Sequence, residues 1–249
     1  MPDLSGTVTL VTGASGGTGR GIALRFADAG AAVVVHGHRS PADPLAAEIR
    51  SLGGSALALT ADLTDESACV ALIDAARSWS GRLDALVNNA GIQPVQPLAG
   101  LSSTDWHTML DTNLTSAFLC TQAAAHAMRE RGGSITHIAS IEAAHPAPGH
   151  AHYSTAKAAL LAHARAAALE YGRHGIRVNA VSPGLIDRPG LATDWPEGVR
   201  RWHAAAPLGR LGTPADVGNA CVFLASPMAS WITGQNLTVD GGVTTNPTW

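Results

Sequence analysis

Tyr153 and Lys157 stand four residues apart, and Lys157 is the only lysine in the chain. On a helix that spacing places both side chains on one face. A phenol with a pKa of about 10 is a poor base at neutral pH. A nearby ammonium favours the phenolate and brings proton abstraction toward working pH. Run in reverse, the same hydroxyl hands its proton to an oxygen that is becoming an alkoxide. Arginine is no substitute in that role, because a planar fork and a compact ammonium are different tools. The pair also fits an amphipathic helix with a polar edge, and the lone lysine also fits a biased composition. Taken alone, the two residues leave both readings open.

A second chemical signal lies near the start. An apolar run leads into Thr12-Gly13-Ala14-Ser15-Gly16-Gly17-Thr18-Gly19, and a helical pattern follows. Glycines let a backbone turn tightly against a pyrophosphate, and the helix behind it offers free N–H groups to the anion. The strand before and the helix after distinguish it from an ordinary turn. The next strand ends in Val35-His36-Gly37-His38-Arg39-Ser40. An acidic group at such a strand end favours NAD, and a basic one meets a 2′-phosphate. Arg39, flanked by His38 and Ser40, therefore points to NADP(H) over NAD(H).

The elements that must position these residues follow from hydrophobic patterning. Short β-branched runs at 8–11, 32–35, 56–60, 85–87, 134–138, 177–181 and 236–239 read as strands. Between them, helical spacing covers 17–29, 43–52, 65–79, 113–131, 154–171 and 214–224. This alternation predicts an α/β fold, a doubly wound parallel sheet of the Rossmann type with about seven strands, in one domain spanning 1–249. Ser140 follows the fifth strand and should reach the sheet's carboxyl edge. Asn113 opens a predicted helix, where it would be an N-cap. Residues 186–207 are the least regular stretch and are expected to form a substrate lid, with Trp195 and Trp202 covering an apolar ligand or packing the lid down.

Composition closes off several function classes. Hydrophobic residues are 46%, charged residues 14% and the net charge is -3, with no basic stripe for nucleic acid. No apolar run reaches the ~20 residues of a membrane span. Cys69, Cys120 and Cys221 are scattered, which suits reduced thiols in a cytoplasmic protein rather than a disulfide framework or zinc site. His150-x-His152 lacks an acidic or cysteine partner at supporting spacing, so no metal is expected. Glu142, His145 and His152 are candidate substrate-side polar groups.

These pieces together resemble the short-chain dehydrogenase/reductase family, in members like the 3-oxoacyl-[acyl-carrier-protein] reductases, over essentially the whole chain. The matching motifs occur in family order: the 12–19 turn, Asp62-Leu63, Asn88-Asn89-Ala90-Gly91, Asn113, Ser140, Tyr153-x3-Lys157, Pro183-Gly184 and Asp240-Gly241-Gly242. The resemblance implies a catalytic tetrad of Asn113, Ser140, Tyr153 and Lys157. Ser140 would hold the substrate oxygen, and Asn113 would support the lysine through an ordered water. It implies cofactor contacts from Gly13, Ser15, Gly17, Thr18, Gly19, His38, Arg39, Ser40, Asp62, Leu63, Asn89, Ala90, Gly91, Tyr153, Lys157, Pro183, Gly184 and Ile186. Relatives usually carry threonine where this chain has Arg188, and aspartate, if NAD-preferring, where it has Gly37. The implied activity is hydride transfer between NADP(H) and a ketone or secondary alcohol, of a 3-oxoacyl or specialised-metabolite type. The alternatives are an NAD-dependent secondary alcohol dehydrogenase acting on a sugar or steroid-like substrate and a catalytically silent nucleotide sensor. A homotetramer is implied through the helices at 113–131 and 154–171 and the tail at 232–249.

Overall fold

A computed structural model describes residues 1–245, so the last four residues of the expected interface tail lie outside the described residues. The strands are β1 (Val8–Val11), β2 (Ala32–Gly37), β3 (Ala56–Thr60), β4 (Ala85–Asn88), β5 (Gly133–Ile138), β6 (Ile176–Pro183) and β7 (Asn236–Val239). They form one seven-stranded sheet in the order β3-β2-β1-β4-β5-β6-β7. Every pairing is parallel.

Successive side chains of a strand point to opposite faces, and the core divides accordingly. Val11, Val33 and Val35 pack into one apolar cluster with α1 (Gly17–Asp28), α2 (Asp43–Ser51) and α9 (Pro214–Ala225). Leu10, Val34 and Leu86 pack into the other with α3 (Glu66–Ser80), α5 (Ser116–Met128) and α6 (Ala151–Tyr171). A parallel sheet buried on both faces explains the continuous apolar strands. β1 and β4 lie side by side with Val11 in register with Val87, yet the chain leaves them toward opposite edges of the sheet. That switch opens a crevice at their carboxyl ends.

Three segments depart from the sequence reading. The helix expected to start at Asn113 begins ten residues earlier, with α4 (Ser103–Leu110) passing through a π turn (Asp111–Thr115) into α5. Its first turn is polar and carries no apolar stripe, but Ser102 caps it by accepting the Asp105 N–H at 3.0 Å. Asn113 is therefore not an N-cap. α6 begins at Ala151 rather than 154, so Tyr153 lies in its first turn. Residues 186–207 are not irregular throughout, since they hold α7 (Leu191–Asp194) and α8 (Pro196–Ala205). Pro196 opens α8 at the one helical position where its missing N–H costs nothing.

Candidate active site

The glycine turn after β1 is laced to the turn after β4. Thr12 Oγ1 accepts from the N–H groups of Asn89 (2.9 Å) and Ala90 (3.1 Å) and donates to the Val87 carbonyl. Asn89 Nδ2 donates back to the carbonyls of Thr12 and Gly13, at 2.9 and 3.0 Å. Gly13 takes φ +62°, and a Cβ there would lie 2.8 Å from the Ala90 Cα, so only glycine fits. α1 then starts at Gly16 with no side-chain cap and no acid in its first turn. Its first N–H groups are left for an anion.

These turns line a groove of about 900 Å³. Gly13, Ser15, Thr18 and Gly19 line it, and so do His38, Arg39, Ser40, Asp62 and Leu63. Asn89, Ala90 and Gly91 lie in the same groove. Gly17, Pro183, Gly184 and Ile186 are not among its lining residues. At Gly37 a Cβ would run into the Ser40 carbonyl and lie 3.1 Å from the Ala42 amide nitrogen, because the loop folds back over it. Any side chain at this position would have to displace that loop. Asp62 is held below the usual carboxylate range chiefly by hydrogen bonds from Thr64, and it lies 3.7 Å from His38.

Asn113, Ser140, Tyr153 and Lys157 do not line the groove either, but Gly91 at its end adjoins two of them. A Cβ on Gly91 would collide with Asn113 Oδ1 and come within 3.7 Å of Lys157 Nζ. Asn113 sits in the π turn, a device that recurs at functional sites. Its amide clips the Ile92 backbone at both ends, accepting from the N–H and donating to the carbonyl at 3.1 Å each. Lys157 is 4% exposed and donates to the Ile138 carbonyl at 2.7 Å. Its ammonium lies 5.5 Å from the centre of the Tyr153 ring. Ser140 Oγ accepts the Glu142 N–H at 3.1 Å, which leaves its own proton free to donate. It lies beside the Tyr153 phenol.

The electrostatics differ from the sequence expectation. Burial pushes Tyr153 up to about 12, Ser140 opposes the shift and Glu142 adds to it. Burial alone brings Lys157 down to about 8. Loss of water around the phenol is the largest cause, and its direction is opposite to the pull expected of the lysine.

On the substrate side the structure re-sorts the candidates. Glu142 does face the site, but its partners are His150 Nδ1 and Gln93 Nε2, each at 2.9 Å. Neither partner was singled out for this role by sequence. The His150 ring meets the Tyr153 ring edge-on at 6.0 Å. His152 is fully buried and bonded to Gln96, whereas His145 is exposed. His150 and His152 thus serve different partners, and among the described residues no His, Cys, Asp and Glu group could hold a metal. Trp202 of α8 packs against Gly184, where a Cβ would lie 2.6 Å from the indole. Trp195 packs onto Gly198 in the same segment. Arg188 is paired with Asp194 at 2.9 Å, on the surface. His36, another residue with no assigned role in the sequence reading, bonds the glycine turn directly.

Comparison with known proteins agrees with this architecture. The family described as enoyl-(acyl carrier protein) reductase matches residues 13–244. The cis-4-hydroxycyclohexanecarboxylate dehydrogenase of Sinomonas cyclohexanicum is 42% identical over 95% of this chain and 96% of its own. A 3-oxoacyl-[acyl-carrier-protein] reductase of Synechocystis is 39% identical over 98% of this chain and 99% of its own. Among solved structures, one from Sinorhizobium meliloti described as a short-chain alcohol dehydrogenase superposes with a TM-score of 0.93 at 38% identity, covering 98% of this chain and 99% of that one. One from Agrobacterium tumefaciens described as a gluconate dehydrogenase gives 0.93 at 36%, covering 98% of both.

Proposed function

The chain belongs to the short-chain dehydrogenase/reductase family of NAD(P)-dependent oxidoreductases, and we propose that it moves a hydride between NADP(H) and a ketone/secondary-alcohol pair of a 3-oxoacyl or specialised-metabolite type. The observation that carries this reading is the convergence of Ser140, Tyr153 and Lys157 beside the Gly91 end of the groove. A bound nicotinamide supplies the carbon that gives or takes the hydride and, when oxidised, a positive charge.

The chain's own groups manage the oxygen. Ser140, its lone pair already engaged by Glu142, donates to the substrate oxygen and fixes it within reach of the phenol. Raised to about 12, Tyr153 stays protonated through neutral pH and is ready to donate to a developing alkoxide. Oxidation of an alcohol needs the phenolate, which Lys157 and a positive nicotinamide favour against burial. Asn113 belongs to the proton path behind the lysine, a role that its place in the π turn beside Ile92 supports.

The crowded Gly37 and the basic Arg39, with His38 and Ser40 beside it, support NADP(H). Pro183, Gly184 and Ile186 would line the nicotinamide, under a lid formed by residues 186–207. The contact of Trp202 with Gly184 supports that placement. Buried, unbridged Cys69, Cys120 and Cys221 support a cytoplasmic setting. Exposed Phe118 on α5 and Leu169 on α6 support a homotetramer.

Turnover of a ketone and alcohol panel, run with NADPH and NADH in parallel, tests the reading. NADPH-linked ketone reduction, absent in Tyr153→Phe, is the expected result. A higher kcat/KM with NADH on ring alcohols, the substrate type in the 42% identical relative's name, would replace it by an NAD-dependent secondary alcohol dehydrogenase. Cofactor binding without turnover of any substrate would leave a silent sensor.

A further inference from the structure

His36 ends β2 in the core, 1% exposed, and three segments of the cofactor groove meet on it. Its carbonyl accepts the Ala14 N–H at 2.7 Å. Its ring Nδ1 accepts the Gly13 N–H at 3.1 Å, and Nε2 lies 3.1 Å from the Ala61 carbonyl. An amide N–H only donates and a carbonyl only accepts. Both contacts are therefore satisfied by one form alone, the neutral imidazole with its proton on Nε2. Gly13 belongs to the phosphate-binding turn, and Ala61 immediately precedes Asp62-Leu63 on the facing wall.

We propose that His36 is a positioning residue for the dinucleotide, a neutral strut that sets the distance between the glycine turn and the Asp62-Leu63 wall and releases both when it is protonated. A second proton would point Nδ1–H at the Gly13 N–H, two donors with no acceptor between them. Burial, and more weakly the charge of His38, holds His36 below the ordinary imidazole range, while the Ala61 carbonyl acts the other way. The facing charged groups are His38 and Arg39 from the loop after β2 and Asp62 from the loop after β3. The glycine turn and Asn89 bring none. The neutral form is the binding form, and because burial holds His36 below the ordinary imidazole range, affinity is full at neutrality and is lost only in acid below that range. This role is independent of the choice between NADP and NAD.

The test is a fluorescence titration of wild type, His36→Leu and His36→Gln with whichever of NADPH and NADH binds more tightly, from pH 5 to 8. Saturated kcat and the melting temperature of the cofactor-free proteins are measured alongside. At pH 7.5, His36→Leu should weaken binding about tenfold, because two buried backbone groups lose their partners, while saturated kcat stays within about threefold. Glutamine keeps one donor and one acceptor but does not titrate. His36→Gln should thus restore most of the affinity and remove the loss of affinity that wild type shows on the acid side of the titration. A Kd for His36→Leu within twofold of wild type would overturn the proposal. So would an acid limb of equal steepness in wild type and His36→Gln, which decides the matter even if His36→Leu fails to fold.

Discussion

At the glycine-turn end of the groove the ligand-facing groups are largely backbone. Gly13 fits because it has no side chain, and α1 offers N–H groups that nothing in the chain caps. At the Tyr153 end the holding groups are ionisable side chains taken out of water, with Lys157 4% exposed and Tyr153 raised to about 12. The first arrangement accommodates charge brought by a ligand and stays near the surface. The second keeps charge of its own in a dry place, where moving one proton changes the local field greatly. Binding and chemistry should therefore separate on mutation, the first end governing Kd and the second kcat.

The largest expected effect is at Tyr153. Tyr153→Phe removes the transferable proton and leaves the ring, so kcat should fall by ~10³-fold or more. Cofactor Kd, measured by fluorescence titration, should move less than about threefold. A parallel loss of binding would erase the proposed division between the two ends.

Lys157→Met sharpens the contrast, because activity and stability should move in opposite directions. Loss of the ammonium should lower kcat by ~10²-fold. The same ammonium is costly to bury. Its pKa is 10.5 in the unfolded chain and about 8 in the folded one. Between those values the unfolded chain holds the extra proton, so wild-type stability should rise from pH 8 to 10.5, with the penalty in full below 8. The Met variant should lack that rise and gain about 3 kcal/mol at pH 7, less whatever is lost by orphaning the Ile138 carbonyl. Denaturant melts at pH 7 and 10 measure both parts, and a less stable variant at pH 7 would refute the claimed burial penalty.

Arg39→Gln probes the other end. A charge-assisted bond to a 2′-phosphate contributes about 1.5–3 kcal/mol, so kcat/KM with NADPH should fall roughly 10- to 100-fold. The value with NADH should hold. Equal losses with both cofactors would remove Arg39 from the phosphate contact.

How far the sequence revealed all this follows the same division. The doubly wound sheet was legible because strands buried on both faces are continuous apolar runs, as in Val33, Val34 and Val35. Ser140 was legible as a residue just past a parallel strand, and Tyr153 and Lys157 as a pair four apart on one helix face, while their grouping came from the family resemblance. α4 was not legible, since it is only eight residues long and only the Ser102 cap marks its start. The π turn at Asn113 leaves no compositional trace. The lysine's pull on Tyr153 was visible as a charge partner four residues away, whereas the opposing desolvation is a property of the assembled core. His36 and His150 escaped for a related reason. Their roles depend on hydrogen-bond partners 23 and 8 residues distant, Gly13 and Glu142.

The smallest effect tests the uncapped start of α1 by its opposite. α9 packs along α1 but opens with a complete capping box, Thr213 accepting the Asp216 N–H and Asp216 accepting the Thr213 N–H. The Arg210 guanidinium beside Asp216 holds that carboxyl well below the usual carboxylate range. Its N-terminus is closed to ligands, so Thr213→Ala should cost about 1 kcal/mol of stability and leave cofactor Kd and kcat alone. If Thr213→Ala instead weakens cofactor binding, the end of α9 feeds into the groove through its contact with Gly21 of α1, where a Cβ would already overlap Pro214. The contrast between a helix end that serves the fold and one left open for a ligand would then fail.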